Sequence, residues 1–187
     1  VVSTLSLPIL IKGMYPRPPS EIYDIVNSFQ YRGLRLCIFF INKDYFSSNA
    51  SIYFPQPEFP FTRIYEPKNR SSKMAPKDKT CIVVEIPFTM SSGLNCSGQD
   101  SLAMVESILI KKGFIEKDDV EGCKSIDVPY AYPVIKKDTG NELHKVFNYL
   151  SRFENLHLIG RSADFKYSHV HDLFESANSL ISKLNNC

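Results

Sequence analysis

An α+β fold, a mixed sheet with flanking helices, follows from three features of the 187-residue sequence. Strong β runs such as Leu34 to Ile41 and Cys81 to Ile86 are interspersed with amphipathic helical patterns. The two kinds of element do not alternate strictly, which favours a mostly antiparallel or mixed sheet over a purely parallel one. Hydrophobic residues make up 43% of the chain and charged residues 22%, so the chain can bury a core.

The elements follow in order. Val1 to Leu5 reads as a short buried strand. Pro8 and Pro16-Arg17-Pro18-Pro19 read as a stiff extended connection. Ser20 is placed as an N-cap, and Ile22, Ile25, Val26 and Phe29 recur at helical spacing behind it. In Leu34 to Ile41 both parities become apolar, which predicts a strand covered on both faces. Residues 42–80 are polar, with short strands expected at Ser51 to Phe54 and Thr62 to Tyr65; Lys68 to Lys79 reads as a solvated loop. Cys81 to Ile86 is a further strand. Leu102, Val105, Ile108 and Leu109 mark a helix, closed by Gly113. Asp127 to Val134 reads as strand, Leu143 to Leu150 as helix and Leu156 to Ile159 as a short strand. Val170, Leu173, Phe174, Ala177, Leu180, Ile181 and Leu184 mark a strongly amphipathic last helix.

Several function classes are excluded. Lys plus Arg is 22 and Asp plus Glu is 20, a net charge of +2, so no nucleic-acid partner is expected. The eight glycines form neither G-x-G-x-x-G nor G-x-x-x-x-G-K, which removes both phosphate-cradling loops from this stretch. The five cysteines include no C-x-x-C. Cys37 and Cys81 lie in strand runs and read as small hydrophobes, which points to a reducing, cytoplasmic compartment. The longest apolar run, Leu36 to Ile41, is far short of the roughly 20 residues of a membrane span, so there is no strong membrane signal. Asn49, Asn69 and Asn95 head N-x-S/T triplets that acquire meaning only in a secreted chain. His169 and His171 are the closely spaced pair, but placed at the start of a helix they should diverge, so no metal is expected.

Two stretches go beyond composition: Phe61-Thr62-Arg63-Ile64-Tyr65-Glu66-Pro67-Lys68-Asn69, and Val128-Pro129-Tyr130-Ala131-Tyr132-Pro133-Val134. The second continues to Asn155-Leu156-His157-Leu158-Ile159-Gly160-Arg161 and Phe165-Lys166-Tyr167. With the opening Val1-Val2-Ser3-Thr4, their order resembles the C-terminal half of FAD-dependent amine-oxidase-like proteins. The nearest branch contains protoporphyrinogen-oxidase-like oxidoreductases and UDP-galactopyranose-mutase-like enzymes. The resemblance implies three segments: 1–8 as a strand of an FAD-binding, Rossmann-like domain, 9–150 as a substrate-side domain, and 151–187 as the last strand and helix of the FAD-binding domain. The dinucleotide fingerprint would lie before Val1, and the N-terminal half of the same protein would be the partner of this one.

The resemblance further implies that Ser3, Thr4, Gly160, Arg161, His169, Val170 and His171 contact FAD. A helix start near His169 would set its positive end against charge on the reduced flavin. Arg63, Tyr130, Tyr132 and Tyr167 are candidates for contacting a small-molecule substrate. From the residues alone, Arg63 could equally pair with Glu66 or Glu85, and the tyrosines could simply pack. No catalytic side chain is singled out, because the flavin carries the redox chemistry. The sequence departs from the family pattern at Ser6, Ala163, His169, Val170 and His171. The expected function is part of an FAD-dependent oxidoreductase taking hydride from a small organic substrate. The alternatives are a flavin-dependent sugar-nucleotide mutase, which needs converging Arg side chains, and a non-catalytic domain.

Overall fold

The computed structural model describes residues 1–89 and 96–185. Asn95 and Cys187 lie outside them. The chain divides into two compact units, residues 33–129 and residues 1–32 with 130–187.

The unit 33–129 is built on a five-stranded sheet. Its strands are β2 (Tyr31–Ile41), β3 (Ser51–Tyr53), β4 (Arg63–Tyr65), β5 (Thr80–Thr89) and β6 (Val120–Pro133), in the order β3-β4-β5-β2-β6. β3, β4 and β5 pair antiparallel, with Tyr53 opposite Arg63 and Arg63 opposite Glu85. Cys37, Phe39, Ile41, Ile64, Ile82, Val84 and Ile86 form one buried layer, packed with Leu102, Val105 and Leu109 of helix α3 (Gly98–Lys111). Side chains at alternate positions of a strand share a face, so one side of the sheet is apolar and α3 covers it. The start of α3 is fixed by a capping box between Ser97 and Asp100, and Gly113 at φ +73° follows its end.

The stretch expected to be a solvated loop contains a polar clasp. Glu66, 1% exposed, accepts hydrogen bonds from the Phe46 and Ser47 amides, Asn69 Nδ2 and Thr80 Oγ1. Lys68 is buried, not solvated. Its ammonium donates to the Asp44 carbonyl and carboxylate and to the carbonyls of Pro76 and Lys79. Lys68 is paired with Asp44 and fully hydrogen-bonded, and the Glu66 carboxylate is satisfied by four neutral donors, which offsets the cost of burying both.

The unit of residues 1–32 and 130–187 has helices α1 (Leu7–Gly13), α2 (Ser20–Ser28), α4 (Thr139–Leu150) and α5 (Val170–Asn185). It also holds a two-stranded parallel sheet of β1 (Val2–Ser3) and β7 (His157–Leu158). Leu7, Ile11, Ile22, Val26, Tyr31, Val146, Leu150 and Phe165 form its core. α1 replaces the expected extended stretch, because Pro8 sits in the first turn, where a helix does not use the missing N–H. α2 is preceded by Pro19, so Ser20 is its first residue and not its cap. Val1 and Val2 are exposed, contrary to the buried strand expected there. None of the residues of α5 is fully buried, and Val170, Phe174, Ile181 and Leu184 are exposed. An amphipathic helix gains its stability by burying its apolar stripe, and here Leu173, Ala177 and Leu180 are half-buried while the rest of the stripe is exposed.

Candidate functional site

β1 and β7 run parallel, with Val2 opposite His157 and Ser3 opposite Leu158, so their carboxyl ends adjoin. The crevice beyond the carboxyl ends of parallel strands is where such sheets bind ligands. Ser3 and Thr4 stand at one end and Gly160 and Arg161 at the other. The Ile159 amide donates to the Ser3 carbonyl, and Gly160 adopts φ +102°. A β-carbon on Gly160 would lie 4.0 Å from Thr4, so space alone would admit a side chain. The positive φ is what favours glycine there.

From Gly160 the chain makes a tight turn: the Asp164 amide donates to the Gly160 carbonyl and the Lys166 amide to that of Arg161. Phe165 within it has φ 52°, costly for an aromatic residue. Its ring is buried against Phe29 and Tyr31, which holds the turn in this conformation.

The turn brings Arg161, Tyr132 and Tyr167 together. The Arg161 guanidinium lies 4.6 Å from the Tyr132 ring centroid and 5.5 Å from that of Tyr167. The two tyrosine rings stack at 6.0 Å, and the Tyr167 hydroxyl donates to the Pro133 carbonyl at 2.5 Å. Arg161 Nε is buried and, among the described residues, has no hydrogen-bond partner. A buried donor without an acceptor is costly, so this atom calls for one. Carbonyl oxygens and ring nitrogens of a flavin are acceptors of that kind. Together with the glycine turn and the aromatic faces, the residues present fit such a group.

His169 and His171 flank the start of α5. His169 precedes the helix, so the two do not diverge as they would within one: their rings are parallel, 5.5 Å apart and 7° from coplanar. Asp172 accepts from the His169 amide at 2.7 Å and lies 3.4 Å from His171 Nε2. Val170 is exposed beside them.

Tyr130 is not part of the Arg161 cluster. Its ring meets that of Tyr31 edge-on at 5.0 Å. Tyr31 was not singled out from the sequence. Its hydroxyl is buried without a partner among the described residues, and burial, reinforced by Tyr130, raises its pKa. Arg63 lies in the unit 33–129. Of its two candidate partners it takes Glu85, with Nε to Oε2 at 3.0 Å and the second contact at 2.5 Å. Its guanidinium also lies over Tyr65 and Tyr53. The hydrogen bond to Glu85 is the main reason its pKa is raised, so its charge is already matched. Among the described residues, no group of three or more His, Cys, Asp or Glu could hold a metal ion. No helix among them is long and apolar enough to cross a membrane, and the described cysteines Cys37, Cys81, Cys96 and Cys123 are free thiols.

A comparison with curated proteins finds no match. Residues 9–96 match the family model of UDP-galactopyranose mutase. Among solved structures, a reduced UDP-galactopyranose mutase superposes with a TM-score of 0.73 at 16% identity, covering 89% of this chain and 37% of the other. A protein described as a protoporphyrinogen oxidase, from Exiguobacterium sp. 255-15, superposes with a TM-score of 0.63 at 11% identity, covering 87% of this chain and 36% of the other. At these identities the likeness is one of fold, and the chain spans little more than a third of either structure. Residues 9–96 thus match the family model of UDP-galactopyranose mutase, and the chain shares its fold with part of each of these two structures.

Proposed function

We propose that this chain is the substrate-side and flavin-edge portion of a cytoplasmic FAD-dependent oxidoreductase that takes hydride from a small organic substrate. The observation that carries the reading is the buried, unpartnered Nε of Arg161, held over Tyr132 and Tyr167 beside the Gly160 turn. When bound, the flavin would accept the hydride. Ser3, Thr4, Gly160 and Arg161 would hold its ring system, and the N–H groups at the start of α5 would face its reduced edge. Tyr132 and Tyr167 would line the substrate side. Tyr130 is committed to Tyr31 and would shape that side more than bind to it, and Arg63, in the unit 33–129, is committed to Glu85. The exposed stripe of α5 and the two-stranded sheet would be completed by the N-terminal half of the same protein, because two strands alone are marginal in water.

The match of residues 9–96 favours a second reading, a flavin-dependent mutase acting on a sugar nucleotide. It ranks lower because that reading needs converging Arg side chains, and Arg63 is already neutralised by Glu85.

The test is a visible spectrum of the full-length gene product after gel filtration. Co-eluting flavin absorbance is expected, and a folded, colourless protein overturns both readings. Reduction of the flavin by an organic substrate, with acceptor consumed in proportion, supports the oxidoreductase. Isomerisation of a nucleotide sugar by the reduced enzyme without acceptor consumption replaces it with the mutase.

A further inference from the structure

We propose that Phe165 is a positioning residue: its buried ring locks the strained turn 160–167 and so holds Arg161 Nε and the Tyr132–Tyr167 stack as a preformed ligand site. The name of the ligand, flavin, rests on the reading above. Two residues of the turn have positive φ, Gly160 at +102° and Phe165 at +52°. Glycine takes such a conformation without steric cost, whereas an aromatic residue keeps it only where its surroundings impose it. Phe165 is 1% exposed, and its ring centroid lies 4.7 Å from that of Phe29 and 5.3 Å from that of Tyr31. The tilted and edge-on contacts are those that aromatic pairs prefer. Both partners belong to the same compact unit as the turn.

The anchor is transmitted along the turn. The Lys166 amide donates to the Arg161 carbonyl and the Asp164 amide to that of Gly160, so Phe165 and Arg161 share one hydrogen-bonded turn. Tyr167, two residues beyond Phe165, donates its hydroxyl to the Pro133 carbonyl. The Arg161 guanidinium thereby rests over the rings of both Tyr132 and Tyr167. An arginine on a loose loop samples many rotamers and keeps its N–H groups in water. Here Nε is buried and, among the described residues, without a partner, which costs free energy until an acceptor faces it. The strain at Phe165 and the unpaired donor at Arg161 are two costs of one turn, and both serve the same ligand contact.

Stability and binding should therefore respond differently to changes at this position. Phe165→Gly accepts the φ value but has no ring to bury. It should melt higher than Phe165→Ala, which keeps the steric cost, and yet bind no better. Phe165→Leu retains a buried apolar side chain and should keep most of both properties. Val146→Ala, at a fully buried site of the same cluster on α4, should lower the melting temperature without touching the turn's geometry.

The experiment uses the full-length protein with FAD as the probe. Apoprotein labelled at its arginine nitrogens is titrated with FAD, and affinity is read from flavin absorbance. The Arg161 Nε–H resonance is followed with and without FAD, and the melting temperature of each variant is recorded. F165A and F165G should bind FAD about tenfold or more weaker and return the resonance to that of a solvated arginine. F165L and V146A should stay near wild type, and FAD should move the wild-type resonance as an acceptor engages Nε. Wild-type affinity and resonance in F165A or F165G, a loss in V146A as large as in F165A, or a wild-type resonance that FAD leaves unmoved overturns the proposal and leaves the flavin reading intact. A wild-type protein that binds no FAD overturns the flavin reading; the ligand-free resonance, which reports the packing of Arg161 on the tyrosines, then decides whether Phe165 positions it. If neither F165A nor F165G folds, F29A, which removes one wall of the Phe165 seat, is measured in their place with the same outcomes.

Discussion

Glu66 shows how one residue can govern a segment without touching a ligand. Its carboxylate gathers four donors from three stretches of chain. Truncation in Glu66→Ala would leave buried N–H and O–H groups without acceptors, each costing about 1–3 kcal/mol before relaxation. A loss of about 3 kcal/mol or more is expected from urea unfolding of the unit 33–129. A fully stable variant would show that the donors find substitutes. Asp127 gives a pH signature. Its hydrogen bonds to Arg35 hold its carboxyl below the usual range. A lowered folded-state pKa stabilises above the ordinary carboxylate value, and that contribution fades as the pH falls through the lower one. The urea midpoint should therefore drop more steeply below about pH 4 in the wild type than in D127N. Asp164 runs the other way: burial raises its carboxyl, so stability declines as the pH climbs from the ordinary value through the raised one, and D164N should flatten that decline. At this scale the sequence was half legible. The short strand expected at Thr62 to Tyr65 placed Arg63 on a strand, but its choice of Glu85 over Glu66 depends on the register between β4 and β5, which no local pattern encodes. The buried Lys68 looked solvated because its partners are backbone carbonyls, which leave no mark in composition.

At the scale of elements, periodicity located every long helix, while the ends depended on chemistry that was partly overlooked. Ser97 and Asp100 form a reciprocal cap on α3. Ser97→Ala should cost about 1 kcal/mol, read as a lowered melting temperature, and S97D should cost much less. α1 was missed because Pro8 and the nearby proline run argue against helix except in a first turn. α5 presents the reverse case, since its pattern was unmistakable and its burial was not. With Phe174 and Ile181 exposed on one stripe, chain 1–187 expressed alone should bind hydrophobic dyes and self-associate. F174E with I181E should suppress both without altering its circular dichroism. If the proposed flavin function holds, the same pair should release flavin from the full-length protein. Unchanged dye binding in the variant would place the sticky surface elsewhere.

For the whole molecule, motif order and compactness describe different things. The resemblance divides the chain near residues 8 and 150 by kinship of its pieces, whereas the compact units break after residues 32 and 129. Motif order can be read from one sequence because it lies along the chain; compactness depends on contacts such as those gathering Leu7, Val146 and Phe165 into one core. Each unit has its own buried cluster. Leu109→Ala, at a fully buried site in one of them, should cost about 2–5 kcal/mol. Hydrogen exchange should register the loss in β2, β5 and α3 and much less in α1 and α2. Equal deprotection throughout would mean that the two clusters unfold as one.

The pairing of β1 with β7 sets a timetable for biosynthesis. Val2 finds its partner in His157, so the first strand waits while more than 150 residues are added. Residues 33–129 are contiguous and can close their sheet and cover it with α3 during that interval. At about 5–20 residues per second, the delay is of the order of ten seconds or more. The ribosome thus completes the inserted unit before the carboxyl ends of β1 and β7, and the Gly160 turn beyond them, can assemble at all.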